Sequence, residues 1–451
     1  MAKDPRSLLL RIRLNLGGEF AIFLACLGAG ITFGFALEDA NYSEAHTLQG
    51  VITLLSRFTA LIGTYLALIA LLIIARIPWV EKSIGFDSLV AYHRKLGPVI
   101  YWLITSHVFL VILGYSLADG QSLGNELVDL IKNYTWMLQA VVGFFLLSLI
   151  SITSTRALRR RFKYEQWWNI HLLSYFAIAF SFMHQILNGS LFIFNEVAKI
   201  WWIGIYLYTS FALVMWRFLL PLTRSLRHQL VVDHLVHENS NVVSIYIRGR
   251  NLKAIHARGG NFFEWRFLTR GIWSQAHPYS LSESPSNEMM RITVKNLGDH
   301  SWALSKLAPG TRVLAEGPYG ILTASRAIGK KILLVGAGVG ITPIRALIND
   351  FPADAEVDLI YRTVLEEELI LRKELDEIDK EDRIRIHYLV GTPEKFPMSP
   401  DDLIALIPHI SECDVFVCGP PGLAELVRHS VESLGVNSAK FHNEAFSFHA
   451  K

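Results

Sequence analysis

Four histidines in apolar surroundings are the residues of this chain most able to do chemistry. His93 and His107 lie 14 residues apart in one apolar segment, and His171 and His184 lie 13 residues apart in another. Ionisable side chains inside a membrane are costly and usually functional. If both segments are helices of the same direction, His93 pairs in depth with His171, and His107 with His184, in two layers about 20 Å apart.

Each layer can hold one b-type haem between two imidazoles, one from each helix, because neutral imidazole is a common axial ligand of haem iron. Two axial ligands leave the iron no open position, so such haems are suited to passing electrons. The alternative is that the four side chains are bundle histidines bonded to neighbouring carbonyls. The matched depths favour the haem interpretation.

One spacing departs from an ideal helix. Fourteen residues return to nearly the same helix face, whereas thirteen leave His171 and His184 about 140° apart at 3.6 residues per turn. Either this helix winds unevenly, or the two haems are offset sideways.

Arg57 stands at the outer end of an apolar run, near the expected depth of the outer haem. Its side chain can reach the membrane interface. Alternatively, it lies beside the outer haem and holds an anionic product or a haem propionate. Both interpretations stay open, and Arg57 is a candidate catalytic residue.

These side chains must be positioned by membrane helices, each of which needs roughly 20 apolar residues. The chain is 51% hydrophobic and only 18% charged, and the long apolar runs fall between residues 20 and 220. We therefore predict an all-α bundle of six transmembrane helices: Phe20–Leu37, Phe58–Ile77, Leu96–Ala118, Tyr134–Thr155, Trp167–Leu187 and Ile200–Leu220. The first is expected to be retained as a helix, since no small-residue cleavage site follows it.

Lysine and arginine in the loops predict the orientation. They gather before the first predicted helix and in alternate loops, at Arg76, Lys82, Arg94, Lys95, Arg156, Arg159, Arg160, Arg161 and Lys163, and again at Arg224 and Arg227. The remaining loops, including 119–133, are acidic or neutral. We expect a multi-pass protein of the plasma (inner) membrane with both termini in the cytoplasm.

The second half of the chain, from about residue 225, has the alternation of a soluble protein. The net charge of +3 is too small to indicate a nucleic-acid partner. Three cysteines cannot form a disulfide framework. Short strands at Val242–Ile247, Arg291–Lys295 and Arg312–Ala315 predict a small antiparallel barrel.

Two segments of this barrel can bind a cofactor. In 277–282 (HPYSLS), a strand that places an aromatic ring beside a hydroxyl can flank an isoalloxazine and hydrogen-bond its N5 edge. In 295–301 (KNLGDHS), the glycine, serine and lysine suit a pyrophosphate.

Residues 330–451 alternate strands and helices, which predicts a parallel sheet. The strand 332–335 leads into 336–343 (GAGVGITP) and then a helix, so backbone amides can approach phosphates at a helix N-terminus. A later strand ends in Cys418, followed by Gly419 and Pro420. The Cys418 thiol can lie beside a nicotinamide, or it can be a small buried residue.

Together these motifs resemble the NADPH oxidase and ferric reductase superfamily over roughly residues 50–451. The histidine spacings, HPYSLS, GAGVGITP and CGPP occur in that order, and 75–81 with 91–97 look most like the short bacterial branch. The resemblance implies three domains: a transmembrane di-haem domain (1–223), an FAD-binding β-barrel (224–327) and an NAD(P)H-binding α/β domain (328–451).

The resemblance also implies residue roles. It places FAD and its diphosphate against the barrel motifs, the nicotinamide nucleotide against the glycine turn, and Phe446, or alternatively Phe448, on the flavin. The cofactor-binding residues are then expected to be His277, Pro278, Tyr279, Ser280, Leu281, Ser282, Lys295, Gly298, Ser301, Gly336, Gly338, Gly340, Thr342, Pro343, Arg362, Cys418, Gly419, Pro420 and Phe446. Among them, Ser280, Cys418 and Phe446 join Arg57 as candidate catalytic residues.

The implied activity is a transmembrane NAD(P)H oxidoreductase. Electrons would pass from NADPH or NADH through FAD and two b-type haems to oxygen or a ferric chelate outside. Two departures from the family leave parts of this open. Arg362 follows Tyr361 directly, which leaves the NADPH preference open, and Val111 stands where oxidases often have a second histidine. The alternative is a membrane haem and flavin subunit that serves a protein partner.

Overall fold

The computed structural model describes residues 5–38 and 46–445, with side chains at 16–38 and 46–444. These residues form two compact units that divide between Arg217 and Phe218. We call 16–217 the helical unit and the part from Phe218 onward the sheet unit.

The helical unit is built from long apolar helices, since a helix satisfies its backbone hydrogen bonds internally where no water is available. In chain order the long and the short helices are α1 (Pro5–Glu38), α2 (Leu48–Ile74), α3 (Pro78–Ile84), α4 (Phe86–Asp119), α5 (Leu123–Asn133), α6 (Met137–Thr153), α7 (Arg156–Arg159), α8 (Tyr164–Leu172), α9 (Ser174–Asn188), α10 (Ser190–Phe194) and α11 (Glu196–Ala212). A π-helical stretch, Leu213–Leu219, continues α11 into α12 (Leu220–His228) of the sheet unit.

Within the described part of the chain, five helical segments are long and apolar enough to cross a membrane: Leu16–Glu38, Leu48–Ile74, Phe86–Asp119, Tyr164–Asn188 and Glu196–His228. The fourth predicted span corresponds to the shorter apolar helix α6. Each of the six predicted spans therefore coincides with an apolar helix, five of them of full spanning length.

The segment 119–133, expected to be a loop, contains the helix α5. Ser122 begins it, since its side chain accepts a hydrogen bond from the Asn125 amide at 3.3 Å. Glu126 and Leu130, one turn apart, are its buried face, whereas Val128 is exposed. The polarity that suggested a loop is the outer face of an amphipathic helix.

The fifth predicted span is two helices, α8 and α9, that meet at Leu173. The Leu173 amide donates to the carbonyl of Ile170, three residues back, at 3.1 Å. A bond to the third preceding residue tightens the turn locally. The helix therefore winds unevenly between His171 and His184, as one of the two alternatives required.

The sheet unit begins with two three-stranded antiparallel sheets, ordered β1-β2-β5 and β4-β3-β6. Their strands are β1 (Val231–Asn239), β2 (Val242–Arg248), β3 (Phe262–Phe267), β4 (His277–Ser280), β5 (Met289–Lys295) and β6 (Val313–Tyr319), with α13 (Asp299–Leu304) after β5. One core joins both sheets and includes the fully buried Ile245, Trp265 and Phe267. The three strands predicted in this region are confirmed.

A five-stranded parallel sheet follows, in the order β11-β10-β7-β8-β9. It contains β7 (Lys331–Ala337), α14 (Ile341–Ile348), β8 (Glu356–Thr363), α15 (Arg372–Ile378), β9 (Ile384–Val390), α16 (Pro400–Leu406), β10 (Asp414–Gly419), α17 (Pro421–Ser433) and β11 (Phe441–Ala445). Because the strands are parallel, their carboxyl ends meet at one edge, which is where such sheets bind ligands.

Candidate functional site

His93 on α4 and His171 on α8 face each other in the helical unit. Their ring centroids are 6.0 Å apart and the ring planes differ by 74°. Nδ1 of His93 lies 3.1 Å from the carbonyl oxygen of Ala70 on α2, so it donates there in the neutral tautomer. That bond leaves Nε2 with a free lone pair, which is the usual arrangement of a metal-binding histidine.

The spacing of this pair fits a haem iron. Two iron–nitrogen bonds of roughly 2 Å, with the distance from each nitrogen to its ring centre, put the two ring centres roughly 6 Å apart. Trp167 supports the site, because its ring lies 4.9 Å from that of His171 and its Nε1 donates to Ser154 Oγ at 3.2 Å. The first predicted layer therefore has the dimensions of a bis-imidazole haem site.

The second layer is formed around His107 on α4. Its Nδ1 lies 3.0 Å from the hydroxyl and 3.1 Å from the carbonyl oxygen of Ser56 on α2. His184 on α9 lies within electrostatic range of His107. Arg57 follows Ser56 on the same helix and is half-buried, which places it at the depth of this layer.

Among the described residues, no three or more His, Cys, Asp or Glu groups gather at metal-binding distance. A pair of imidazoles is nevertheless sufficient for haem, because the porphyrin supplies four further nitrogens.

The glycine turn joins β7 to α14 in the sheet unit. Gly340 packs so closely on β10 that a Cβ built there would lie 2.3 Å from the Cys418 carbonyl oxygen. Gly338 has φ +54° and open space where its Cβ would stand. Thr342 and Pro343 are buried in the first turn of α14, and the Thr342 hydroxyl donates to the Val339 carbonyl at 3.0 Å. The turn therefore exposes backbone at a helix N-terminus, as a phosphate requires.

The carboxyl ends of the neighbouring strands complete this edge. Gly336, one residue before the end of β7, lies opposite Cys418, and Ala337 at the end of β7 lies opposite Arg362 in β8. Cys418 is fully buried with its Sγ 3.7 Å from the Glu444 carbonyl oxygen, as the alternative of a small packing residue requires. Burial lowers the pKa of Arg362, and the negative charge of the nearby Glu394 partly offsets this decrease.

The segment 277–282 lies along β4 and shows a contact that the sequence did not reveal. The ring of His277 lies 3.7 Å from that of His300, and the Tyr279 hydroxyl is 3.3 Å from His300 Nδ1. Burial, and then the neighbouring His277, lowers the pKa of His300 to about 3, and burial raises the pKa of Tyr279. In the sequence, His300 is one residue of the polar loop 295–301, and nothing local indicates its contact with His277.

Not every residue of that segment can contact a cofactor through its side chain. Leu281 is fully buried in the antiparallel core, and Ser282 is fully buried with its hydroxyl bonded by Arg291 and Thr293. Ser280 is buried as well, and Pro278 is half-buried. Because the side chain of Leu281 belongs to the core, only the backbone of Leu281 can contact a cofactor.

Arg291 belongs to a buried ionic cluster that the sequence analysis missed. Its guanidinium bonds Glu374 of α15 at 2.9 and 3.2 Å, and Arg345 of α14 forms a salt bridge with the same carboxylate. Burial opposes the charge of Arg291, but the hydrogen bonds and charge of Glu374 raise its pKa overall. The signal was a charged residue between the apolar Met290 and Ile292 of a core strand.

The loop 295–301 is organised by its own serine. The Ser301 hydroxyl accepts from the amides of Leu297 and Gly298 at 2.8 and 3.1 Å, and Lys295 pairs with Glu368 at 3.3 Å. Ser301 thereby fixes the backbone that was expected to meet a diphosphate. Phe446 and Phe448 lie outside the described residues, just after β11, which ends at Ala445 opposite Gly419.

Comparison with known proteins identifies the class. Residues 59–182 match the family described as ferric reductase like transmembrane component, and residues 334–429 match the oxidoreductase NAD-binding domain. This is the domain architecture of the ferric reductase and NADPH oxidase superfamily. The chain thus combines a ferric reductase-like transmembrane part with an oxidoreductase NAD-binding domain.

Curated relatives match about two fifths of the chain. NADH-cytochrome b5 reductase 1 of Ajellomyces capsulatus is 31% identical over 202 residues, covering 40% of this chain and 65% of the relative. The ferredoxin reductase component of 3-ketosteroid-9-alpha-monooxygenase from Rhodococcus rhodochrous is 26% identical over 198 residues, covering 42% and 56%. The chain thus spans between about half and two thirds of the length of these relatives.

A solved structure, the cytochrome b5 reductase domain of Ulva prolifera nitrate reductase, superposes with a TM-score of 0.41 at 17% identity. It covers 49% of this chain and 98% of that domain.

Proposed function

We propose that this protein is a transmembrane NAD(P)H oxidoreductase that holds two b-type haems in its helical unit and FAD with a nicotinamide nucleotide in its sheet unit. The acceptor is oxygen or a ferric chelate on the far side of the membrane. The sheet unit and both termini lie in the cytoplasm, and the membrane is the plasma (inner) membrane. The domains are 1–223, 224–327 and 328–451.

The observation that carries this proposal is the pairing of His93 with His171. Two half-buried imidazoles at a 6.0 Å centroid distance, on separate helices, would be able to hold one haem iron between them. If these histidines served only for packing, the same arrangement would not be expected at a second depth. His107, on the same helix as His93, also has its Nδ1 bonded to a backbone carbonyl of α2.

The polypeptide supplies orientation. The carbonyl of Ala70 and the backbone and hydroxyl of Ser56 hold the imidazoles of His93 and His107 in the tautomer that turns Nε2 towards a metal. Gly338 offers open backbone for a nucleotide phosphate at the start of α14. His277 and Tyr279 form an aromatic wall beside Ser280, where a flavin ring can be flanked.

When bound, FAD would accept a hydride from NAD(P)H and the haems would carry single electrons to the acceptor. The residues that hold the nucleotide are expected to be Gly336, Gly338, Gly340 and Arg362, with Gly419 and Pro420 at the end of β10. Arg57 is expected to lie beside the outer haem.

The test is an absorbance spectrum of the detergent-purified full chain, taken before and after NADPH is added under argon. The proposal expects the sharp reduced bands of a bis-histidine b-type haem, at two haems per chain by pyridine haemochrome assay. His93→Leu should lower the count to about one, while His429→Leu, an exposed histidine of α17, should keep two. A flavin spectrum without haem would refute the proposal.

The acceptor is identified in the same sample. Admitted oxygen should reoxidise the reduced bands with formation of superoxide, detected by a superoxide-dismutase-sensitive probe, or a ferric chelate should do so with formation of ferrous iron. His107→Leu should abolish both reactions, although NADPH still reduces the flavin. Unchanged turnover in His107→Leu would contradict the two-layer arrangement.

A further inference from the structure

A cavity of about 870 Å³ opens on the sheet unit, away from the carboxyl edge of the parallel sheet. It lies between the end of α12 and the ends of β2 and β6, and its lining includes Leu226, Arg248, Arg250 and Arg312. Neither the glycine turn nor the HPYSLS segment contributes to it. The cavity is therefore separate from the cofactor sites proposed above.

The charge of the cavity is positive. Three arginines, Arg248, Arg250 and Arg312, line it with exposed side chains, whereas Glu288 is the acidic residue of the lining. Three positive charges and one negative charge leave a local charge of +2. Arg248 has a weak ion pair with Asp233 at 3.5 Å, so Arg250 and Arg312 are the guanidinium groups best placed for an anion. Arginine is the residue that binds phosphate with two parallel hydrogen bonds.

The other wall is apolar and exposed. Leu226 is 66% exposed and Leu268 is 40% exposed, although both lie beside charged groups. Leu222, four residues before Leu226 on the same face of α12, is 49% exposed. Exposed leucines next to a cluster of arginines form an amphiphilic surface. Such a surface can bind a hydrocarbon chain at the leucines and an anionic group at the arginines.

The chain itself indicates where such an amphiphile comes from. The helical segment Glu196–His228, which is long and apolar enough to cross a membrane, has 33 residues, about 50 Å at 1.5 Å per residue. That exceeds the roughly 30 Å of hydrocarbon in a bilayer. Since α12 also carries Arg224 and Arg227, its last turns, with Leu222 and Leu226, are the end of the span best suited to the headgroup layer.

We propose that this cavity binds the anionic headgroup of a membrane phospholipid, with Arg250 and Arg312 on the phosphate and an acyl chain along Leu222 and Leu226. The site anchors the sheet unit to the membrane surface and makes its attachment depend on lipid charge. Zwitterionic lipid carries a phosphate as well, but its choline cation is repelled by the positive lining, so anionic lipid is preferred.

The experiment uses the full chain in nanodiscs of phosphatidylcholine with a minority of phosphatidylglycerol, released in the mass spectrometer so that retained lipids are counted. The wild-type chain should retain phosphatidylglycerol in preference to phosphatidylcholine. The double variant Arg250→Gln/Arg312→Gln should lose that preference, by about fivefold for each arginine. Arg258→Gln/Lys373→Gln, which removes two exposed charges outside the cavity, is the matched control and should behave as wild type.

Two further arms separate a lipid from a free anion. Leu226→Ser should lower phosphatidylglycerol retention, whereas excess inorganic phosphate should not displace the lipid. Displacement by phosphate together with no effect of Leu226→Ser would identify a free-anion site and overturn the proposal. Equal retention of the two lipids by the wild-type chain, or by wild type and Arg250→Gln/Arg312→Gln alike, would also overturn it.

Discussion

The backbone of Gly340 lies against the carbonyl of Cys418, with no room for a single added carbon between them. A Cβ at Gly340 would stand 2.3 Å from that oxygen and 3.1 Å from the Cα of Gly419. Both obstacles are backbone atoms, which cannot turn aside as a flexible side chain can. This contact sets the position of the first turn of α14 relative to β10, and hence the position of the expected phosphate site.

Gly340→Ala should therefore move the turn and weaken nucleotide binding. We expect a loss of stability of about 1–3 kcal/mol from overpacking and a several-fold slower reduction of the flavin by NAD(P)H, measured by stopped flow under argon. Gly422→Ala is the matched control, since nothing lies within 4 Å of its Cβ position. Flavin reduction at the wild-type rate in Gly340→Ala would mean that the turn does not position the nucleotide.

Ser56→Ala removes the hydroxyl that lies 3.0 Å from Nδ1 of His107. Loss of an outer-shell partner typically lowers metal affinity by roughly 10- to 100-fold, and the remaining bond to the Ser56 carbonyl places the expected effect near the lower end. The measurement is the haem count after dialysis against apomyoglobin, in which one of two haems should leave faster. The control is Ser83→Ala, which removes a hydroxyl that bonds the Trp79 carbonyl of its own helix α3. Equal haem loss in both variants would argue against a role for Ser56.

The sequence was sufficient to predict those elements whose signal lies within a short stretch of neighbouring residues. Apolar runs placed the spans, and the glycine turn between a strand and a helix was found where predicted, because both signals lie within a few neighbouring residues. The break in the helix at Leu173 could not be predicted. Uneven winding of this helix was only one of two alternatives, the other being a sideways offset of the two haems. The angle between His171 and His184 required some irregularity, but the sequence did not say where the helix would tighten.

Contacts between distant segments could not be derived in the same way. His277 and His300 are 23 residues apart, and Arg291 and Glu374 are 83 apart, so neither pair leaves a local pattern. The same is true of Leu281, which follows β4 and whose side chain packs in a core shared by strands that are distant in the sequence.

Glu374 joins two buried arginines, and its removal should be costly. Arg291 and Arg345 are 5% and 6% exposed in their side chains. Glu374→Ala would remove the carboxylate that they share, and Arg291 would keep only the longer ion pair with Glu283 at 3.6 Å. We expect a loss of about 3 kcal/mol or more in the free energy of unfolding, measured by chemical denaturation of the purified chain and followed by flavin fluorescence.

The control for this change lies on the same helix. Glu377 pairs with Lys380 at the surface, where both side chains are about 70% exposed, and such pairs contribute about 0–1 kcal/mol. Glu377→Ala should therefore be nearly neutral. A similar small effect of both substitutions would show that the buried cluster does not stabilise the sheet unit.

His300 makes the stability of the sheet unit depend on pH in the acid range. Its pKa is lowered from 6.5 to about 3 in the folded chain, through burial first and His277 second. Between these values the unfolded chain binds a proton that the folded chain does not, so stability falls as the pH falls from 6.5 towards 3. One proton accounts for at most about 1.4 kcal/mol for each pH unit, and less where solvent screens a half-buried ring.

His300→Gln has no such proton, so its melting temperature should fall less between pH 7 and pH 5 than that of the wild type. His237→Gln, in which an exposed histidine of β1 is replaced, should keep the wild-type slope. If the melting temperature of His300→Gln falls as steeply with pH as that of the wild type, the ring of His300 is not held neutral in the fold. The cluster of His277, Tyr279 and His300 is then more open to water than its contacts indicate.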